Sequence, residues 1–291
     1  MTLIPTLRLS LEMTNVLTRI EMNGLKINLD TLHEIEKEYN EELSYLETKL
    51  QTMAKEAMGD TPVNLSSPDD RSVLLYSRKV RDKSMWGLTF NLGHEMRGNT
   101  MKPKLRTRMR ANVFIRNVRN MTDVVYKTVG QMCAGCLGHG RVRLVNKNGQ
   151  PSKVLNICKP CKGKGTRYRD TNEVAGFKIV PRNPKDTASA GFKTDKVTLE
   201  DRSLELSGDA REFCTSYSRY NAIRTYLSTF VEGMKNNVDD DGFVHPEFMQ
   251  CVTATGRLSS RNPNFQNMPR GSTFAIRKVV ESRFEGGFIL E

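Results

Sequence analysis

Two Cys-x2-Cys pairs constrain this chain more than any other feature. "CAGCLGHG" begins at Cys133 and "CKPCKGKG" at Cys158, with 21 residues between Cys136 and Cys158. Two such pairs bring four thiolates to one tetrahedral zinc ion, and the spacing lies in the range such sites use. Each pair is followed by Gly-x-Gly, where glycine permits the positive φ that wraps backbone around a thiolate. Between the pairs, "RVRLV" and "KVLNI" can form a hairpin across Asn148-Gly149. The expected unit is a zinc-ribbon-like β-hairpin module over residues 133–165, with Cys133, Cys136, Cys158 and Cys161 as ligands. The ion would be structural, since no coordination position is left for water. His139 is nearby, but four thiolates already complete the shell. Cys214 and Cys251 have no sequence partner and read as structural. The plainer alternative is four cysteines with no ligand at all.

The module sits in a block of unusual charge. Residues 78–169 hold 22 lysines and arginines against three acids, a balance of +19. The whole chain carries +12 at pI ≈ 9.5, so the remainder carries −7. A charge run can be no more than a solvated face, but asymmetry on this scale favours a polyanionic partner, nucleic acid above all. No run of about 18 apolar residues is present, which argues against a membrane span. The amino terminus lacks the basic-then-apolar pattern of a secretory signal. A soluble, cytoplasmic protein is expected, its cysteines serving metal binding before disulfides.

Around the block the chain reads as helical. Asp30 is a candidate N-cap, and Leu32, Ile35, Tyr39, Leu43, Leu46, Leu50 and Met53 recur at helical spacing as far as Gly59. "TLRLSLEMTNVLTRIEMNG" is a shorter helix ending at Asn23-Gly24. "PRNPKDTASAG", residues 181–191, reads as a linker, and helices resume in "DAREFCTSYSRYNAIRTYLSTFVEGM".

The remaining signal is a polar strip, "TATGRLSSRNPNFQNMPR", from Thr253 to Arg270. It offers no general base or metal ligand. It is dense in donors instead: Arg257, Asn264, Gln266, Asn267 and Arg270. Minor-groove edges of every base pair present acceptors at nearly equivalent places. A protein that holds duplex of any sequence while testing pair shape needs such donors.

The strip closely resembles the palm motif of family A DNA polymerases, in the run Thr-Gly-Arg-Leu-Ser-Ser followed by Pro-Asn-x-Gln-Asn-x-Pro. "EMNGLKINLDTL", "VNLSSP", "GFKTDKVTL", "RYNAIRTYLSTFVEG" and "GFVHPEFMQCVTATGR" are similar to further segments of that family. The resemblance covers residues 1–77 and 191–291; the basic block has no recognised counterpart and looks like an insertion in the thumb region. The doubled cysteine pattern also resembles half of the cysteine-rich domain of J-domain co-chaperones, through shared knuckle geometry.

The resemblance implies an α+β fold: a helical thumb region, the inserted zinc module, and the first part of a polymerase palm sheet. It divides the chain into a helical segment at the thumb base (1–77), the basic insertion (78–190), thumb helices (191–250) and proximal palm (251–291). It makes Arg257 the residue that grips the minor groove near the primer end, with Asn264, Gln266 and Asn267 lining the duplex. Arg270 follows a small deletion in the alignment. Two DNA-contacting thumb lysines of the family are replaced by Thr225 and Leu227, with Arg224 as a displaced substitute.

In the family, the strand after this motif leads to an aspartate that holds both catalytic magnesium ions. "GGFILE" looks like the start of that strand, and the catalytic aspartates and fingers lie outside the sequence. The expected protein is the thumb and partial palm of a split, phage-like polymerase used in DNA replication. It would bind primer–template, and a second chain would bring the remaining palm and fingers and complete the magnesium site. A separate 3′–5′ exonuclease subunit is a further candidate partner. The rivals are a stand-alone zinc-containing nucleic-acid-binding or regulatory protein, and a truncated gene product.

Overall fold

A computed structural model describes residues 3–81, 93–97, 100–104, 111–145, 149–182, 186–188, 191–250, 252–269 and 273–289. Helices mix with small antiparallel sheets, in agreement with the α+β class at that level. No helix among the described residues is long and apolar enough to cross a membrane. Two compact units are formed: Met1–Glu47 with Arg219–Glu291, and Thr48–Ser218.

The first unit begins with the helix Leu3–Asn23, which stops before Gly24 as the sequence predicts. The strand Leu25–Ile27 follows and is central in a three-stranded sheet. Lys26 pairs with Phe243 on one side and with Glu281 on the other. The long helix is Leu29–Met58. Its cap is Asn28 rather than Asp30: Asn28 Oδ1 accepts from Thr31 N at 2.8 Å, which leaves Asp30 inside the first turn. An acid there still favours the positive helix end.

The apolar stripe of this helix, Leu32, Ile35, Tyr39 and Leu46, is buried against Ile223, Tyr226, Phe230 and Met234, and against Phe274, Ile276 and Val279. Tyr226 and Phe274 stack at 4.3 Å between ring centroids, and the Tyr39 edge meets Tyr226 at 4.9 Å. Arg219 covers this aromatic cluster, 5.1 Å from the Phe274 centroid, while making two 2.7 Å bonds to Glu42.

The expected strand at "GGFILE" is not formed in residues 287–289; the strand is Val280–Glu281, several residues earlier. Among the described residues this segment has no ladder partner. Phe288 and Ile289 are 80% and 52% exposed, and apolar character alone does not order a strand without a neighbour to pair with.

The second unit packs Leu74, Leu75, Tyr76, Phe192, Phe213 and Tyr217 at its centre. Its helix Pro68–Tyr76 is capped by Ser67, whose hydroxyl accepts from Asp70 N, and Pro68 opens the first turn. At the far end Ser77 Oγ accepts from Lys178 N at 2.8 Å. The chain therefore leaves at residue 77 and returns to the same place at residue 178.

Between those points four antiparallel strand pairs form among the described residues, and two of them are the ribbons of the cysteine region. Tyr126–Met132 pairs with Thr166–Val174, and Arg141–Val145 pairs with Pro151–Ile157. The second is the predicted hairpin; residues 146–148 of its turn, and residues 183–185 and 189–190 of the predicted linker, lie outside the described residues. Gly59 fixes the first ribbon. Its φ is +80°, and a Cβ there would stand 2.2 Å from Thr128 O, so only glycine lets the helix end approach this strand. Asp60 N donates to that same carbonyl at 2.8 Å.

Candidate nucleic-acid interface and metal centre

The polar strip is held by pairing at its start and by apolar pins further on. Glu247–Met249 pairs with Ser259–Arg261. Glu247 is clamped by Asn262 Nδ2 at 2.8 Å and Arg261 Nε at 2.7 Å, and these two groups hold its carboxyl below the ordinary range. Before the strand, Thr253 Oγ1 donates to Arg257 O at 2.8 Å and Gly256 N donates to Thr253 O at 3.1 Å. This closes a turn and presents Arg257 exposed, with no partner for its guanidinium among the described residues.

After the strand comes the single 3-10 turn Phe265–Asn267. Phe265 and Met268 pack on the apolar core, which turns Gln266 and Asn267 outward. Asn264 is half-buried and works within the fold: its Oδ1 accepts from Asn267 N at 3.2 Å and from Ser260 Oγ at 3.4 Å. Only its amide nitrogen is left to reach a ligand. Arg270 lies outside the described residues. Arg224 is exposed on the helix Gly208–Tyr226, whereas Leu227 is buried in the core and unavailable to a ligand.

Three neighbours of the strip lie in the stretch "GFVHPEFMQCVTATGR", and their contacts reach far along the chain. Gln250 Nε2 donates to Ser10 O at 3.3 Å and Thr14 Oγ1 at 3.2 Å, and Phe248 N donates to Glu21 Oε1 at 2.6 Å. His245 lies between Glu21 O, 2.6 Å from Nδ1, and Asp239 Oδ2, 3.1 Å from Nε2. These contacts tie the first helix to the strand that leads into the strip. Apart from His245 with Asp239, they join residues more than two hundred positions apart, which no local pattern announces.

The four predicted cysteines do come together. Cys133, Cys136, Cys158 and Cys161 are buried, with all their sulfurs within 4.8 Å of one another. Cys133 and Cys158 are 3.8 Å apart, Cys136 and Cys161 3.6 Å. A tetrahedron with Zn–S of about 2.3 Å has S···S edges of about 3.8 Å, so the donor set and its spacing fit zinc. Burial raises the Cys136 thiol and takes Cys158 up to about 12. Burial also opposes the Cys161 thiolate, but the Gly165 N–H and neighbouring sulfurs outweigh it and bring Cys161 down to about 7.

The two knuckles repeat one another. Gly140 N donates to Cys136 Sγ at 3.2 Å, and Gly165 N to Cys161 Sγ at 3.3 Å. Cys133 N donates to Gly165 O and Cys158 N to Gly140 O, so each loop is bonded to the other. A Cβ on Gly140 would stand 2.2 Å from Gly163 O, and one on Gly165 2.2 Å from Gly138 O. The second glycine of each Gly-x-Gly is therefore required by the crossing of two backbones as well as by φ, and the first by φ alone. His139 is exposed and outside the sulfur cluster, as expected. Cys214 is buried on the helix Gly208–Tyr226, and burial pushes its thiol up to about 11, which agrees with a structural role. Cys251 lies outside the described residues.

The model of DNA polymerase family A matches residues 174–290. Over that stretch the chain is similar to DNA polymerase family A. The chain is 56% identical over 94 residues to DNA polymerase I of Treponema pallidum, covering 32% of this chain and 9% of that protein. It is 33% identical over 109 residues to the DNA polymerase of Bacillus phage SP01, covering 34% and 12%. With DNA polymerase I of Deinococcus radiodurans the identity is 29% over 185 residues, covering 57% and 18%. The chain thus spans between 9% and 18% of the length of these curated relatives. The family A stretch contains Arg224, Arg257, Asn264, Gln266, Asn267 and Arg270. All four clustered cysteines precede it.

Proposed function

We propose that this chain is the DNA-holding part, thumb and proximal palm, of a family A DNA-directed DNA polymerase. The observation that carries the reading is the exposure of Arg257, Gln266 and Asn267 within the family-matching stretch. There the fold spends apolar side chains, Phe265 and Met268, on keeping donors outward. Arg257 grips the minor groove near the primer end, Gln266, Asn267 and the amide of Asn264 follow the duplex, and Arg270 and Arg224 extend the contact. Minor-groove acceptors recur at every base pair, so the grip is independent of sequence.

The residues bind and orient; none of the proposed contacts transfers a phosphoryl group. Two-metal transfer needs carboxylates that hold the ions ~3.5–4 Å apart. In this reading the carboxylates, the magnesium ions and the fingers come with a second chain, and an exonuclease subunit is a further partner. The adjacency of Ser77 and Lys178 supports taking the intervening block as an insertion on the thumb. Its four cysteines hold one structural zinc.

Primer–template binding by the purified chain, followed by addition of a polypeptide carrying the remaining palm and fingers, tests the proposal. Weak binding alone and magnesium-dependent extension with the partner are expected. Nucleotide addition by the 291-residue chain by itself, with contaminating polymerase excluded by mass spectrometry, overturns it. Binding that persists while no such partner restores extension favours the stand-alone zinc-containing regulator.

A further inference from the structure

We propose that the metal module carries a second nucleic-acid site, on residues other than the Arg257 strip, which takes the phosphate backbone. The first observation is an absence in the sequence. From Val124 to Arg169 there is no aspartate or glutamate, while ten lysines and arginines occur. A face that only needs solubility intersperses both signs. Here one ion pair forms among the described residues, Lys127 with Glu173 at 2.6 Å, and its acid lies beyond the acid-free run.

The second observation is how the ribbons display the rest. Arg141 stands opposite Ile157, and Arg143 opposite Leu155. Because successive side chains alternate, these four share one face; the register shifts between Arg143 and Val145, and Lys153 lies exposed beside that shift. The cations are exposed, and so are the aliphatics between them: Val145 67%, Leu155 50%, Ile157 64%. On the other ribbon Arg167 and Arg169 are exposed beside Gln131 and Val129, and Lys159, Lys162 and Lys164 rise from the second knuckle.

The chemistry selects the partner. Five strand residues extend about 17 Å, and over that length duplex DNA carries about ten negative charges at one per ~1.7 Å. Arginine donors match phosphate oxygens in pairs, and the aliphatic stripe suits the sugars between them. Neither element reads bases, so binding is independent of sequence. The rigid element is the crossed pair of knuckles, which fixes both ribbons to one buried sulfur cluster. The polymerase reading enters only in choosing duplex DNA as the probe.

The test is Arg141→Gln/Arg143→Gln/Lys153→Gln in the full chain, with duplex affinity measured by fluorescence anisotropy from 50 to 300 mM salt. Each lost phosphate contact removes about 0.9 from the slope of log K against log salt, so a reduction of about 2–3 is expected, with zinc content and circular dichroism unchanged. An unchanged slope overturns the proposal and leaves this face to a protein partner. Should the triple variant fail to load zinc, Arg167→Gln/Arg169→Gln on the other ribbon decides: a slope lower by about 2 supports the site, and none overturns it. A failure of the polymerase reading is told apart in the wild-type chain, by a normal slope together with no extension when a polypeptide carrying the remaining palm and fingers is added.

Discussion

Tyr226 lies flat on Phe274, the ring planes 12° apart and the centroids 4.3 Å apart. The stack joins the helix Gly208–Tyr226 to the segment that follows the polar strip. Core packing therefore positions the strip through residues that contribute nothing to its chemistry.

Phe274→Ala should accordingly destabilise the protein by about 3–5 kcal/mol, the usual range for emptying a buried phenylalanine site. Urea denaturation followed by circular dichroism measures it. A loss under 1 kcal/mol would mean that the ring is not buried in solution.

Zinc should be present at one equivalent per chain in anaerobically prepared protein, by elemental analysis. Zinc-finger peptides gain about 10–16 kcal/mol from the ion at pH 7. Chelation, or Cys161→Ser, should therefore unfold the ribbons while the long helices persist in the far-ultraviolet spectrum. Full zinc content in Cys161→Ser would refute the four-thiolate site.

His245 should make stability fall as pH rises. Both its ring nitrogens face acceptors, Glu21 O and Asp239 Oδ2, which only the imidazolium satisfies together. The Glu21 carbonyl first, then Asp239, raises its pKa above the ordinary value of about 6.5. A raised pKa gives stability that is complete below the unfolded value and lost as pH climbs through the folded one. The urea midpoint of the wild type should decline across that interval, and that of His245→Gln should not. Parallel curves would show that the ring is not held as described.

Arg257→Ala should slow primer extension in the reconstituted enzyme, with the partner chain still bound. Its guanidinium is exposed and supports no packing, so the midpoint in urea should stay within about 0.5 kcal/mol of wild type. A lost complex, rather than a lost rate, would contradict the assigned role.

Phe288→Asp should act the other way and prevent assembly with the proposed second chain. Phe288 and Ile289 are 80% and 52% exposed, and covering apolar surface contributes ~25 cal/mol per Å². Co-elution on size-exclusion chromatography reads the result. Normal co-elution would remove this segment from the interface.

Local chemistry was legible before the fold was. Helical spacing from Leu32 to Met53, the stop at Gly59, the cysteine cluster and the hairpin all depend on residues close in sequence. Asn28 took the cap from Asp30 because Asn28 could both end the strand Leu25–Ile27 and face Thr31 N. The same limit hid the dual nature of Asn264: a polar residue in a polar strip looks free until its oxygen is seen capping the turn beneath it. What no pattern could disclose is partnership at a distance, as between His245 and Glu21. "GGFIL" reads as a strand by composition, yet a strand is a property of a pair.

Lys26 has strand neighbours at Phe243 and Glu281. A ribosome that has made this strand must add more than two hundred further residues before either neighbour exists. At ~5–20 residues per second that is on the order of ten seconds or more. During this interval the strand and the apolar stripe of its following helix stand uncovered. The knuckles need no such delay, because all four sulfurs come from one short stretch. The four-cysteine module can be complete on the nascent chain while the other unit is still waiting for the strand Val280–Glu281. Chaperone capture during synthesis should therefore fall on the first fifty residues rather than on the cysteines.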